Sequence, residues 1–155
     1  MRTLTVLGSC GAWPEAGRAC SGFLLEYDGF RVLLDLGYAA LPRLLEVCPD
    51  GAVDAVLVTH RHPDHCVDVS GLGRVVQDLA PHAVPLPLYA APPQDRPRTL
   101  MTAAEAGEWA AKARARRLLL THFWPGSDRA VSVAEAAAGF GGEILAAEEG
   151  LVVEL

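Results

Sequence analysis

Residues 56–69 read VLVTHRHPDHCVDV, and this stretch constrains the fold more than any other. An apolar run suited to a short buried strand, at about 54–59, ends in His60, His62, Asp64 and His65. His60 and His62 stand two apart in extended chain, so their imidazoles point to the same side. Pro63 suits the first turn of a helix, and the helix dipole favours a carboxylate there, at Asp64. A strand must therefore hand over to a helix through one tight turn. That turn presents two pairs of nitrogen and oxygen donors, a set suited to zinc, manganese or iron. Three of the chain's five histidines fall within it, a concentration that a plain polar loop does not explain. Only His82 and His122 remain to complete a metal site.

Around this turn the pattern predicts an α/β fold. Strands are expected at about 3–8, 22–27 and 30–35, with Asp28-Gly29 as a hairpin turn between the last two. A short helix is expected over 38–47, near Pro42, and another from Pro63 to about Leu79, weakened at Gly71 and Gly73. Six prolines crowd 81–98, which reads as a rigid connector with a short edge strand at 86–89. Thr102 and Glu105 form a capping box for a helix to about Arg114. A strand then ends at His122, a helix spans 131–140 before Gly141-Gly142, and strands at 143–147 and 151–155 finish the chain. At 155 residues this is the length of one domain, with the proline-rich stretch as its junction.

Composition narrows the function classes. A net charge of −6 is a poor start for a general nucleic-acid binder, whose affinity comes from neutralising phosphates. No apolar run approaches the length of a membrane span, and the first residues read as a strand rather than a signal peptide, so a cytoplasmic protein is expected. Cys10, Cys20, Cys48 and Cys66 show no CxxC spacing and are expected as reduced thiols.

THRHPDH resembles the HxHxDH motif of the metallo-β-lactamase superfamily. The likeness extends to LTVLGSCG and SGFLLEYDGFRVLLDLG, similar to that family's opening strands and its aspartate motif, at Asp35. RRLLLTHFWP resembles its late strand ending in a ligand histidine, at His122. Within the superfamily the ribonuclease Z-like and phosphodiesterase-like branch is the nearest in appearance. The resemblance implies an αββα sandwich of two similar halves and a pair of zinc ions, with manganese or iron as substitutes. It assigns His60 and His62 to the first metal, and Asp64, His65 and His122 to the second. Asp35 would brace the turn from behind without touching metal. A metal-activated water would attack a phosphodiester or another ester, and Asp64 would orient that water or accept its proton. Transfer RNA is a substrate the resemblance allows and the charge disfavours.

The chain departs from the family in one place. A third histidine for the first metal and an aspartate bridging both come from a central block between a strand and the late helix. Here that interval reads AAPPQDRPRTL, and the histidine expected before Thr102 is replaced by Leu100 or Met101. His82 and Asp95 are poor substitutes by position. Two donors are left for the first metal and three for the second. One ion at Asp64, His65 and His122 is then the expected remnant, with His60, His62 and His122 as the alternative set. The fold is expected to be a shortened form of the sandwich. Loss of inner strands would bare a sheet face that a second copy could cover, so a homodimer is expected.

Two readings follow. One is a metal-dependent hydrolase of this fold; the other is a shortened member that is non-catalytic or only a weak metal binder. Among other residues, Trp13 is expected to line a pocket or anchor its loop, Trp124 to border the site, and Trp109 to sit in the core. Cys66 is expected to be buried, and Asp68 to support a metal ligand from behind.

Overall fold

The computed structural model describes residues 2–79, 88–90 and 101–155, the middle stretch by its backbone alone. Apart from residues 88–90, the proline-rich junction lies outside the described residues, as do His82, Asp95, Leu100 and the first half of the strand expected at 86–89.

Among the described residues, eight strands and five helices follow one another in an α/β order. β1 (Arg2–Gly8), β2 (Gly22–Tyr27) and β3 (Phe30–Leu36) form an antiparallel meander. α1 (Ala40–Val47) leads to β4 (Ala55–Val58), which pairs parallel to β3. After α2 (Pro63–Cys66) and α3 (Val69–Leu79), β5 (Leu88–Ala90) pairs parallel to β4. With β8 (Val152–Glu154) beside β1, the six-stranded sheet runs β5-β4-β3-β2-β1-β8. α4 (Ala103–Lys112), β6 (Arg117–Leu120), α5 (Arg129–Ala137) and β7 (Glu143–Ala146) make the second unit, in which β6 and β7 pair in parallel.

Strand alternation separates two cores. On β1, Leu7 joins Leu24, Leu33 and Val56 under Leu44 of α1 and Leu72 of α3. Val6 points to the opposite face and packs with Leu120, Phe123, Ala136 and Ala147. The layers are therefore helices, large sheet, small sheet, helices, as expected for a shortened αββα sandwich. The small sheet reaches the large one through Val6 and Phe23. Further along the same face, Phe30 and Leu57 are 53% and 40% exposed.

Local signals account for two of the element junctions. Asp28 and Gly29 both take positive φ, 48° and 92°, as a two-residue hairpin turn requires. The Thr102 hydroxyl accepts from the Glu105 N–H, and the Glu105 carboxylate accepts from the Thr102 N–H, completing the capping box.

Five expectations are corrected. The helix from Pro63 is two helices, parted at residues 67–68, and α3 continues through both Gly71 and Gly73. Asp68 marks the break. Its N–H donates to Leu36 O, and its carboxylate accepts from Leu41 N–H at the start of α1, so among the described residues it caps a helix and braces no metal ligand. Trp109 is 59% exposed under the Lys112 ammonium, because α4 turns Ala103, Ala106, Gly107 and Ala110 inward. Cys66 is only half-buried, its thiol against the carbonyls of Arg61 and His62. The last helix also starts earlier than expected, capped by the Asp128 carboxylate on Ala130 N–H.

Candidate metal centre

The site forms where β3, β4 and β6 run out. Asp35, near the end of β3, is buried and takes φ 57°, a conformation that aspartate tolerates better than most residues. One carboxylate oxygen accepts from Thr59 N–H at 2.7 Å. The other accepts from the Thr59 hydroxyl at 2.8 Å and lies 2.7 Å from His65 Nδ1. Asp35 thus locks the turn that follows β4.

This bond also fixes the chemistry of His65. With Nδ1–H donated to Asp35, the neutral imidazole carries its lone pair on Nε2. Nε2 is buried and has no hydrogen-bond partner among the described residues. It stands 3.4 Å from Asp64 Oδ2, outside hydrogen-bonding geometry. His122 Nε2 lies 3.2 Å from the same oxygen. The donor atoms of Asp64, His65 and His122 all fall within 4.8 Å of one another. Tetrahedral donors at zinc–nitrogen and zinc–oxygen bond lengths stand roughly 3.3 Å apart. The buried lone pair of His65 and these spacings fit a single small cation, whose charge would compensate donors that otherwise repel.

Asp64 is held ionised. Burial acts to raise its carboxyl, but the Ala12 N–H at 2.9 Å and the neighbouring imidazoles outweigh it and keep it below the usual carboxylate range. Ala12 takes φ 64° to present that N–H. His122 takes φ 61° just past β6, so the expected strand ends two residues before its histidine. This bend is braced by Gly11 N–H to Phe123 O and Phe123 N–H to Ser9 O. Close approach explains two glycines. A β-carbon at Gly11 would stand 2.6 Å from His122 Nδ1, and one at Gly37 would stand 1.9 Å from the Asp64 carbonyl oxygen.

His60 and His62 face each other beside this group. His60 Nε2 lies 3.1 Å from His62 Nδ1, and the His60 ring centroid is 3.9 Å from that of His65. Thr59 Oγ1, having donated to Asp35, accepts from His60 Nδ1–H at 3.2 Å. Among the described residues the pair does not join the three-residue cluster. The set His60, His62 and His122 is likewise not assembled. Neighbouring Cys20 is buried, and burial, with the Asp64 charge next in weight, pushes its thiol up to about 12.

Sequence reasoning left out Ala12, which acts through its backbone and carries no side-chain signal. It also passed over Thr59, although this residue stands inside the quoted motif. A hydroxyl directly before the first histidine was the available clue.

The signature of the Metallo-beta-lactamase superfamily matches residues 16–108. The chain is similar to the probable metallo-hydrolase YhfI of Bacillus subtilis, 38% identical over 69 residues, which span 44% of this chain and 28% of that protein. It is also similar to a ribonuclease Z of Kineococcus radiotolerans, 40% identical over 79 residues, 50% of this chain and 25% of that one. The matched stretches thus span about a quarter of these relatives' length. In fold, the chain resembles the crystal structure of the metallo-beta-lactamase fold protein YhfI from Bacillus subtilis, with a TM-score of 0.83 at 22% identity over 99% of each chain. It also resembles the short form of human tRNase Z, with a TM-score of 0.67 at 15% identity over 98% of each. With the signature spread over more than half of its residues, the chain belongs to the metallo-beta-lactamase superfamily.

Proposed function

We propose that this protein is a metal-dependent hydrolase of a phosphodiester or related phosphoester, with one ion held by Asp64, His65 and His122. The observation that carries the reading is the convergence of a buried, partnerless His65 Nε2 with Asp64 Oδ2 and His122 Nε2. Three protein donors with a further open position make a catalytic zinc site, and manganese or iron suits the same donors. When bound, such an ion lowers the pKa of a coordinated water toward neutrality and steadies charge on a phosphoryl oxygen.

The chain's own residues do the rest. Asp35 holds His65 in the Nδ1–H tautomer and aims Nε2 inward. Ala12 N–H holds Asp64 ionised in the same place. The carboxylate oxygen of Asp64 not engaged by Ala12 orients the attacking water or takes its proton. His60 and His62 offer a second, two-donor position, enough for a weaker ion.

The names of similar proteins support the substrate class: ribonuclease Z, and in fold a diphosphatase of the PhnP family. A net charge of −6 favours small phosphoesters over transfer RNA. Among the described residues no helix is long and apolar enough to cross a membrane. A cytoplasmic location and a homodimer formed over the Phe30–Leu57 face complete the proposal.

The reading is tested by the metal content of the purified protein and of His122→Ala, beside hydrolysis of an aryl phosphodiester. One ion per chain, lost in the variant together with hydrolysis, is expected. A metal-binding protein without hydrolysis would favour the non-catalytic reading, to which the unassembled His60–His62 pair points.

A further inference from the structure

Trp13 and Trp124 form an edge-to-face pair, with ring centroids 5.1 Å apart and planes at 78°. Both are half exposed, at 50% and 51%, so neither ring is a core residue, and the perpendicular packing leaves a ring face open to solvent. Their places in the chain tie them to the metal centre. Trp13 follows Ala12, whose N–H holds Asp64. Trp124 stands two residues after His122, within roughly 7 Å along the backbone.

The pair is also rigidly mounted. Glu15 Oε1 accepts from Gly126 N–H at 2.8 Å, clamping the Trp13 loop to the Trp124 loop. Gly11 N–H to Phe123 O clamps them again on the other side. Ala12 and His122, which set the directions of the two loops, both take left-handed φ. Two large apolar rings held in water beside a metal centre suit a planar, aromatic part of the substrate.

We propose that Trp13 and Trp124 are a stacking platform for the base of a nucleotide whose phosphate faces Asp64, His65 and His122. This rests on the hydrolase reading above and narrows its substrate to nucleotide phosphoesters. Stacking on tryptophan tolerates any base and needs no positive surface, which suits a chain of net charge −6. A long polyanion would need that positive surface; a mononucleotide or a single unpaired end does not.

Calorimetric titration of the protein as purified with adenosine 5′-monophosphate and with ribose 5-phosphate tests the platform. The nucleotide is expected to bind at least tenfold more tightly. Trp13→Ala and Trp124→Ala are each expected to weaken the nucleotide about tenfold while leaving ribose 5-phosphate and metal content unchanged. Trp124→Phe, which keeps a ring, is expected to recover most of the loss. Equal affinity for the two ligands, or wild-type nucleotide affinity in a folded alanine variant, overturns the platform. Should Trp13→Ala fail to fold, Trp124→Ala decides alone. Absence of metal in the wild type would overturn the hydrolase reading and leave the comparison of the two ligands standing.

Discussion

His65 Nδ1 lies 2.7 Å from Asp35 Oδ2 across a buried contact, and this pair sets the tautomer on which the metal centre depends. Asp35→Asn puts an amide where the carboxylate accepts three hydrogen bonds. Asparagine keeps the left-handed backbone at little cost, so the fold is expected to survive. Zinc affinity is expected to fall by about 10–100-fold, measured by competition with a chromogenic chelator. Unchanged affinity would mean that His65 is oriented by packing alone.

Gly11 and Gly37 separate two kinds of damage. A methyl group at Gly11 meets a histidine ring, which yields by turning. Gly11→Ala is therefore expected to fold, with a displaced His122 and metal affinity reduced by about tenfold or more. A methyl group at Gly37 meets the Asp64 backbone, which cannot turn away. Gly37→Ala is expected to lower the melting temperature sharply, or to yield no soluble protein. Thermal melts followed by circular dichroism, beside metal analysis, distinguish the two.

Asp68 offers a test of a residue expected to support a metal ligand that instead caps a helix. It lies four residues past Asp64, yet its carboxylate caps Leu41 N–H. Asp68→Ala is expected to cost about 1 kcal/mol of stability and leave metal binding intact. Loss of bound metal at unchanged stability would return Asp68 to the site.

The contrast between Asp68 and Asp64 shows what the sequence carried and what it lacked. HxHxDH at the end of an apolar run placed Asp64 and His65 on a helix start, because strand and helix periods are local properties. The capping box at Thr102 and the turn at Asp28-Gly29 were legible for the same reason. The partner of Asp68 lies 27 residues away, and no local period reports such a contact. Ala12 serves Asp64 through a backbone N–H across 52 residues, so its side chain holds no sign of the role. Trp109 was misplaced because aromatic character suggests burial, whereas the small residues of α4 decide which side faces α5. The division of the five candidate ligands into a group of three and a pair depends on where β6 ends relative to α2. That is a property of the packed sheets and of no single segment.

The thiols order themselves by burial. Cys10, Cys20 and Cys48 are buried and free, and burial raises all three, Cys20 up to about 12. The Cys66 thiol is also raised by burial, but it is half-buried and can be reached. A thiolate is the reactive form. An aromatic disulfide reagent at pH 8 is therefore expected to modify Cys66 first and the other three only with unfolding. Mass spectrometry of the native and denatured protein reads the count directly. Fast modification of Cys20 in the folded protein would mean that the loop over it opens.

The Thr102–Glu105 capping box gives a pH-dependent prediction far from the metal centre. The Glu105 carboxyl is held below its ordinary value, first by the Thr102 N–H and then by the Thr102 hydroxyl. A carboxyl depressed in the folded state stabilises that state above its unfolded pKa, about 4.3. The contribution is lost as pH falls through the folded value. Thr102→Ala removes the cap on Glu105 N–H as well as the hydroxyl that Glu105 accepts. At neutral pH it is expected to cost about 1 kcal/mol, or about 2–4 °C in melting temperature for a chain of this size. As pH falls through the folded value the wild type also loses what the Thr102 hydroxyl gives the Glu105 carboxylate, so the gap between the two proteins is expected to narrow. Paired thermal melts from pH 7 down to pH 3.5 check this. A gap that stays constant across that range would mean that the bond from the Thr102 hydroxyl to the Glu105 carboxylate contributes nothing to the cap.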